Sequence, residues 1–364
     1  MDQRLDHVRS VLEREQLDAL LVTNEQNRYY LSGFSGSAGV LLITADRALL
    51  LSDFRYRDQA AAEAPHWEFR LIKPPEMPED RLIATSIAEL GMRCVGFEAG
   101  HMTVATHRRL QELLDEFASG TRLEATDGVV EAQRAVKDAG ELRTIERAIA
   151  ITDEAFAVVR PLLRPTMREH EVAWELEKAM REAGADGLAF SIIVAAGPNG
   201  ARPHARAGDS QLGTGRPVVM DFGARLAGYH ADMTRTVILG TPDEQFEQVY
   251  REVLQAQQHA ARHVRAGMSG READALARDL IAAAGYGDNF GHGLGHGVGL
   301  AIHEAPSLRA ASDEPLPVGA VCSIEPGIYL PGWGGVRIED LVTLTDGGAR
   351  TLTQSSKEPV IALD

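Results

Sequence analysis

The chain has 364 residues, of which 44% are hydrophobic and 25% charged, and its formal net charge is −16. This length exceeds one ordinary hydrophobic core, so we expect two domains of a globular protein. The negative charge argues against nucleic acid or an anionic membrane as a partner.

Two further features bear on the cellular setting. Cys94 and Cys322 lie far apart and follow no metal or redox spacing, which is typical of proteins from a reducing compartment. No apolar run approaches the length of a membrane span, and the first residues read as an amphipathic helix rather than a signal peptide. We therefore expect a cytoplasmic protein.

The first part of the chain alternates between helix and strand signals. Apolar residues at helical spacing predict a helix over 4–15, and short apolar runs predict strands over 18–23 and 94–97. Residues 39–52 hold two apolar runs around Ala45, Asp46 and Arg47, which predicts a hairpin. We expect a small α/β domain over residues 1–127.

The remainder, residues 128–364, begins with two predicted helices. The first covers 141–159 and is ended by Pro161 and Pro165, and the second covers 167–184. Trp174 lies on the second helix, where we expect it to pack in the core.

An internal repeat follows in this region. Five residues recur 101 positions later: Arg164, Met167, Glu171, Ala183 and Gly184 match Arg265, Met268, Glu272, Ala284 and Gly285. Helix order and the placement of acidic residues repeat as well. The pattern predicts two duplicated α+β halves that face each other across a pseudo-twofold axis.

Four carboxylates stand in strand-like apolar sequence: Asp221, Asp232, Glu325 and Glu339. Burying an ionised carboxylate is costly unless a cation or a donor compensates it. Their separations, eleven residues in the first pair and fourteen in the second, suit adjacent strands with inward side chains. Asp340 falls on the opposite strand face from Glu339, so we expect it to be structural or solvated.

A glycine-rich stretch over residues 290–303 carries His292, His296 and His303. It does not match a phosphate-binding loop, because its glycines fit no G-x-G-x-x-G register and no Lys-Ser/Thr follows. One imidazole, that of His296, together with the four acids suits two hard or borderline divalent ions better than one thiolate-bound zinc. Such a pair of ions activates water for attack on a carbonyl, which predicts hydrolysis.

These motifs resemble the pita-bread metallopeptidases, the group of methionine aminopeptidase, aminopeptidase P, prolidase and the metal-free creatinase. The resemblance is carried, in family order, by Asp221-Phe-Gly, Gly-Leu-Gly-His296-Gly-Val-Gly-Leu, Glu325-Pro-Gly-Ile-Tyr and Val-Arg337-Ile-Glu339-Asp. It implies an α+β protein with a pita-bread catalytic domain over 128–364. Residues 1–127 resemble the smaller creatinase-type domain that precedes it in prolidases and aminopeptidases P.

The resemblance also implies a role for each metal ligand. Asp221 chelates one ion, His296 and Glu325 hold the other, and Asp232 and Glu339 bridge the two. Glu325 is in addition the proton shuttle for the water or hydroxide that bridges the ions. Manganese is the metal we expect by resemblance, while the ligand set accepts cobalt, zinc or iron as well.

Three further histidines and an arginine receive roles in the same way. His303 stabilises the tetrahedral intermediate, and His204 and His292 line the substrate pocket, so all three count as catalytic and substrate-binding candidates. Arg337 either contacts a substrate carboxylate or braces the last ligand.

The resemblance implies hydrolysis of the bond between an N-terminal residue and a following proline, with proline-containing di- or oligopeptides as substrates and a homodimer as the assembly. Residues 30–39 and 53–56 are closer to aminopeptidase P, whereas the overall length is closer to compact prolidases, so substrate length stays open. Two alternatives are a catalytically inactive pita-bread binding protein, which usually loses metal ligands, and a creatinase-like hydrolase that needs no metal.

Overall fold

The computed structural model describes residues 2–363. The chain divides into two compact units: the N-terminal unit ends at Gln133 and the C-terminal unit begins at Arg134. The division that we expected after residue 127 falls inside the N-terminal unit. None of the helices in residues 2–363 combines the length and the apolar character of a membrane span.

The N-terminal unit is built from helices and one mixed sheet. Its helices are α1 (Asp2–Glu15), α2 (Glu25–Ser32), α3 (Arg57–Glu63), α4 (Glu79–Glu89) and α5 (Val104–Phe117), and a short α6 (Glu131–Ala135) follows. Its strands are β1 (Ala19–Val22), β2 (Val40–Thr44), β3 (Ala48–Asp53), β4 (Glu68–Ile72), β5 (Cys94–Glu98) and β6 (Arg122–Thr126). The predicted first helix, the strands around β1 and β5, and the β2–β3 hairpin are confirmed.

The sheet of this unit has the order β4-β3-β2-β1-β5-β6. Strands β1 and β2 are buried along their whole length, which explains their unbroken apolar sequence. Ile83 of α4 and Leu114 of α5 belong to the same buried cluster as Leu21 and Leu42 of the sheet. The unit is therefore an α/β domain with its own core, as expected.

The C-terminal unit opens with two helices and a set of strands. These are α7 (Ala139–Val159), α8 (Glu169–Glu182), β7 (Gly187–Leu188), β8 (Ile193–Ala196), β9 (Pro217–Phe222), β10 (Ala224–Leu226), β11 (Tyr229–His230) and β12 (Met233–Leu239). The second half repeats the plan with α9 (Glu244–His263) and α10 (Gly270–Ala283). Its strands are β13 (Gly295–Gly297), β14 (Glu304–Leu308), β15 (Val321–Ile324), β16 (Gly327–Leu330), β17 (Gly334–Arg337), β18 (Asp340–Thr345), β19 (Gly348–Thr351) and β20 (Val360–Ile361).

Each half has its own sheet and core. The first sheet has the order β20-β12-β9-β8, and the second has the order β14-β13-β15-β18-β19. Phe156 and Leu176 pack with Met220 in the first half, while Val253 and Ala277 pack with residues of β15 and β18 in the second. The prediction of two duplicated α+β halves is confirmed.

The repeated residues lie where the helices begin and end. The carboxylates of Glu171 and Glu272 accept hydrogen bonds from the backbone N–H groups of Arg168 and Ser269, each at 2.7 Å, at the starts of α8 and α10. This is the reciprocal half of a capping box. Gly184 and Gly285 follow the same two helices with φ of 103° and 88°, a left-handed conformation that glycine adopts without strain. The repeat therefore preserves helix boundaries.

The expectation for Trp174 is wrong. The residue is 60% exposed, because α8 buries Val172, Leu176 and Met180, which recur every four residues on one face. Trp174 lies two positions away from that row and faces the opposite side of the helix.

Candidate active site

Three acids meet where strand ends of both halves come together. Asp221 lies near the end of β9 and pairs with Thr234 of β12, and Asp232 stands directly before β12. Glu339 stands between β17 and β18, and its backbone N–H donates to the carbonyl of Thr234 at 3.1 Å. One oxygen of each carboxylate lies within 4.8 Å of an oxygen of the other two.

His296 and Glu325 complete the group. The Nε2 atom of His296 lies 3.7 Å from Asp232 Oδ2 and 3.2 Å from Glu325 Oε1. Its Nδ1 donates to the carbonyl of Gly297 at 3.1 Å, which directs Nε2 toward the acids. The pairing of Ile324 with Asp340 places Glu325 and Glu339 at the same end of β15 and β18. The five predicted ligands therefore converge.

Glycines on both sides of His296 make this position possible. A Cβ at Gly295 would lie 2.0 Å from the carbonyl oxygen of Ser323, and one at Gly297 would lie 2.2 Å from that of Ala305. No side chain fits at such distances. The glycines let β13 lie close enough to its neighbours for the imidazole to reach the carboxylates.

Two oxygens of this group are buried without a donor. Arg337 Nη2 donates to Asp221 Oδ2 at 2.7 Å, and Thr234 Oγ1 donates to Glu339 Oε2 at 2.8 Å. Asp221 Oδ1 and Glu339 Oε1 have no hydrogen-bond partner among residues 2–363. An unsatisfied buried acceptor costs roughly 1–3 kcal/mol. Two of them within one carboxylate cluster fit a divalent cation, which prefers oxygen ligands of this kind.

The electrostatics of the cluster lead to the same conclusion. Burial raises the pKa of Asp221, and it raises the pKa values of Asp232 and Glu339 well above their ordinary range, with neighbouring carboxylates adding repulsion. Positive charge from Arg337 offsets only part of this effect. The arrangement becomes favourable once cations neutralise the acids.

His296 and Glu325 form an ion pair when no cation is present. Burial acts to raise the pKa of Glu325, but the hydrogen bond and charge of His296 lower it to about 2. Burial acts to lower the pKa of His296, and Glu325 raises it instead. A metal takes the lone pair of a neutral imidazole, so His296 would have to give up this proton in order to act as a metal ligand.

His292 and Arg337 are joined through Tyr329. Arg337 Nη1 donates to the Tyr329 hydroxyl at 2.8 Å, and that hydroxyl lies 2.9 Å from His292 Nε2, to which it donates when the ring is neutral and protonated at Nδ1. His292 Nδ1 donates to the carbonyl of Gly293 at 2.8 Å, and burial lowers the pKa of His292, which favours the neutral ring. With Nη2 on Asp221 and Nε on Thr234, Arg337 has the arrangement of a brace.

His303 and His204 stand at the open side. The ring of His303 meets that of His296 edge to face, with 4.3 Å between centroids, and burial lowers the pKa of His303. Both lie on a cavity of about 520 Å³. All nine residues predicted for the site line this cavity: His204, Asp221, Asp232, His292, His296, His303, Glu325, Arg337 and Glu339.

The sequence analysis missed the residues that hold these groups in place. Ser323 Oγ donates to Glu325 Oε1 at 2.9 Å and accepts from the His296 backbone N–H at 3.0 Å. Thr234 supports Glu339 and Arg337 together. Each hydroxyl stands two positions from an acid, Ser323 from Glu325 and Thr234 from Asp232. That spacing is the signal that identifies them.

Comparisons with known proteins agree with this geometry. Residues 143–346 match the model of metallopeptidase family M24, and residues 4–136 match that of the creatinase/prolidase N-terminal domain. A protein named Xaa-Pro dipeptidase from Pyrococcus horikoshii is 33% identical over 363 residues, which cover 98% of this chain and 99% of that protein.

Solved structures show the same likeness. The structure of an Xaa-Pro dipeptidase from Bacillus anthracis superposes with a TM-score of 0.94 at 40% identity, and the match covers 99% of each chain. An X-Pro aminopeptidase from Thermotoga maritima gives 0.88 at 36% identity, covering 96% of this chain and 99% of that one. The α+β architecture and the pita-bread fold of the C-terminal unit are thereby confirmed.

Proposed function

This chain belongs to metallopeptidase family M24, and from that premise we propose that it is a dinuclear metal-dependent Xaa-Pro peptidase. It hydrolyses the bond between an N-terminal residue and a following proline. The observation that carries the proposal is the convergence of the predicted ligands, with buried oxygens of Asp221 and Glu339 left without a donor.

Asp221, Asp232, His296, Glu325 and Glu339 would hold two divalent ions. Bound ions of this kind polarise a carbonyl and lower the pKa of a water that they share. Manganese is our expectation, and cobalt, zinc and iron suit the same oxygen-rich set with one imidazole. Asp232 and Glu339, whose pKa values burial and neighbouring carboxylates both raise well above the ordinary range, are proposed as the bridging pair.

Glu325 is proposed to move the proton. It lies beside the three clustered acids, faces His296 and is held by the hydroxyl of Ser323. In this position its carboxylate accepts a proton from the attacking water and returns it to the departing proline nitrogen. That nitrogen needs a proton because an unprotonated amide nitrogen is a poor leaving group when the C–N bond breaks.

The histidines and Arg337 shape the rest of the pocket. His303 and His204 line the cavity and are proposed to donate to the oxygen that gains charge during attack and to the substrate, respectively. Both ring nitrogens of His292 are engaged by Tyr329 and Gly293, so His292 is proposed to form the pocket wall. Arg337 is proposed to brace Asp221.

The setting is proposed on more general grounds. Cys94 and Cys322 are both free, as in proteins of a reducing compartment, which favours the cytoplasm. Proline-containing di- or oligopeptides are the proposed substrates. A homodimer stays a prediction from the family resemblance.

The test is a Glu325→Gln variant of the metal-loaded enzyme. We expect a folded protein that still binds some metal but hydrolyses an Xaa-Pro substrate about 10²- to 10⁴-fold more slowly, as expected when a general base is removed. Glu146→Gln, which removes a surface partner of Arg350, is the matched control and should keep full activity. Undiminished turnover by Glu325→Gln would defeat the proposal, and full activity after chelation would favour a metal-independent hydrolase.

A further inference from the structure

A second cavity of about 450 Å³ lies at the loop of residues 197–216, which joins β8 to β9. Its charged lining residues are Arg202, Arg206 and Arg216 of this loop and Glu169, the first residue of α8. The chain as a whole carries a formal net charge of −16, yet here the guanidinium groups outnumber the carboxylate. Such a local surplus of positive charge favours an anion.

The carboxylate of Glu169 is not a partner of these arginines. The residue is fully buried, and its oxygens accept from the backbone N–H groups of Ala196 at 2.8 Å and Gly208 at 2.9 Å. The side-chain amide of Asn199 donates to both oxygens at 2.9 Å. Because neutral donors satisfy this carboxylate, the guanidinium groups remain available for another partner.

The three arginines are exposed and use few of their donors within the protein. Arg202 Nη2 donates to Asn199 Oδ1. The side chains of Arg206 and Arg216 make no hydrogen bond or ion pair with any group between residues 2 and 363. Since each guanidinium presents several N–H donors, most of the donors at this cavity are left for solvent or a ligand.

The backbone beside Arg216 leaves a place for its side chain. A Cβ at Gly197 would lie 2.9 Å from Arg216 Cδ, and a Cβ at Gly213 would collide with Nη2 and Nε of the same side chain. A larger residue at either position would push the guanidinium away. Arg216 is therefore packed between two glycines, which lowers the entropic cost of binding a ligand.

One short segment contributes to this cavity and to the active-site cavity. Arg202 and Arg206 line the first, whereas Pro203 and His204, which stand between them, line the second. The carbonyl of Pro203 also accepts from Arg337 Nη1 at 3.4 Å. A ligand held by Arg202 and Arg206 would thus fix the segment that carries His204.

We propose that the cavity lined by Arg202, Arg206 and Arg216 binds a phosphate group, either as the free ion or as a monoester, and that binding fixes His204 for contact with the substrate. Phosphate oxygens accept from several guanidinium groups at once, and a charge of roughly −2 suits the positive surplus. The hydroxyl of Ser210 lines the same cavity as a further donor. The link to His204 rests on the proposed function, whereas phosphate binding does not.

The binding test is equilibrium dialysis of the metal-loaded enzyme against labelled inorganic phosphate, with the ionic strength kept constant by potassium chloride. We expect Arg206→Gln and Arg216→Gln each to weaken binding at this cavity about ten- to a hundredfold, the range that charge-assisted hydrogen bonds supply. Phosphate bound at the metals is common to all the proteins and cancels in the difference. Arg251→Gln, which removes an exposed partner of Glu252, is the matched control and should bind phosphate as wild type does.

Kinetics test the link to His204. Phosphate should lower the KM of wild type for Leu-Pro about fivefold relative to its effect on Arg206→Gln, the lower end of the range for coupled sites. The effect of phosphate on kcat should be the same in both proteins. Arg206→Gln corrects for any action of phosphate on the metals, and thermal melting without phosphate should show that the variants are as stable as wild type.

Equal phosphate binding by wild type and both cavity variants would overturn the proposal, and so would an equal loss in Arg251→Gln, which would indicate attraction to the overall charge. Loss of binding with no difference in the KM response would overturn the link to His204. Glycerol 3-phosphate distinguishes the two sources, because binding weaker than that of inorganic phosphate indicates the free ion and tighter binding the monoester. Failure of wild type to hydrolyse Leu-Pro would overturn the proposed function and the link to His204, while dialysis alone decides phosphate binding.

Discussion

Each of the two units buries a glutamate, and the two glutamates differ in the hydrogen-bond donors that surround them. In the N-terminal unit Glu98 is 8% exposed, and it accepts from the backbone N–H groups of Thr23 and Asn24 at 2.6 and 2.7 Å and from the Asn27 side chain at 2.7 Å. In the C-terminal unit Glu339 is 1% exposed, and its Oε1 has no donor within residues 2–363. Burial alone therefore does not mark a site.

The contrast separates a structural acid from a proposed metal ligand. Glu98 lies at the end of β5 and meets the N-terminus of α2, where the helix offers free N–H groups and a favourable dipole. Glu339 lies near other carboxylates instead. Burial is the largest cause that raises its pKa, and the charges of those carboxylates raise it further. In the second environment the ionised form of an acid is costly, and either a proton or a cation has to neutralise it.

Removing the functional acid should have the largest effect. Glu339→Ala should bind fewer than two ions per chain and lose about 10²- to 10⁴-fold in kcat/KM, because metal-ion catalysis is worth several kcal/mol. The metal-free variant should be no less stable than metal-free wild type, since an unpaired buried charge disappears. Elemental analysis, kinetics and thermal melting test this, and a variant with both ions and full activity would break the contrast.

Removing the structural acid should have a smaller effect of another kind. Glu98→Gln should lower the free energy of unfolding by roughly 1–3 kcal/mol, because the amide nitrogen cannot accept from the donors around it. Metal content and kcat per folded molecule should stay unchanged. Urea unfolding with parallel metal analysis measures both quantities, and loss of bound metal would show that Glu98 is not merely structural.

The pH dependence of metal-free protein should sharpen the contrast further. The pKa values of Asp232 and Glu339 lie above their ordinary range in the folded state, because of burial first and neighbouring carboxylates second. The folded chain therefore keeps protons that the unfolded chain has released. Stability should fall as the pH rises from the ordinary carboxyl pKa, about 4, through the raised folded-state values.

Chelated wild type should accordingly be less stable at pH 7 than at pH 5.5, and Asp232→Asn should flatten the slope. Metal-loaded protein should show the opposite trend, because protons compete with the ions for the same oxygens. Denaturant unfolding at both pH values provides the measurement. A chelated protein whose stability does not change with pH would argue against strong repulsion in the cluster.

Much of this organisation was predictable from the chain. Local sequence patterns were enough to predict the helix boundaries, because the residues that form them contact only their own neighbours in the chain. Glu171 and Glu272 cap the starts of two helices, and Gly184 and Gly285 follow their ends. The grouping of the five proposed ligands was predictable because each acid interrupts an apolar strand, and His296 stands between glycines. They all line one cavity.

The features that the sequence did not predict depend on contacts between residues far apart in the chain or on which helix face is buried. Tyr329 joins His292 to Arg337 across 37 and 8 residues of chain, and only the folded β16–β17 pair makes that link visible. Trp174 was misplaced because its aromatic character outweighed its position opposite the buried row of α8.

The most direct measurement is a titration of chelated wild-type protein with Mn²⁺, followed by calorimetry and elemental analysis. Two ions per chain should bind to wild type, and fewer than two to Glu339→Ala. Binding of fewer than one ion to wild type, or equal binding by both proteins, would contradict the claim that these five side chains hold a dinuclear centre.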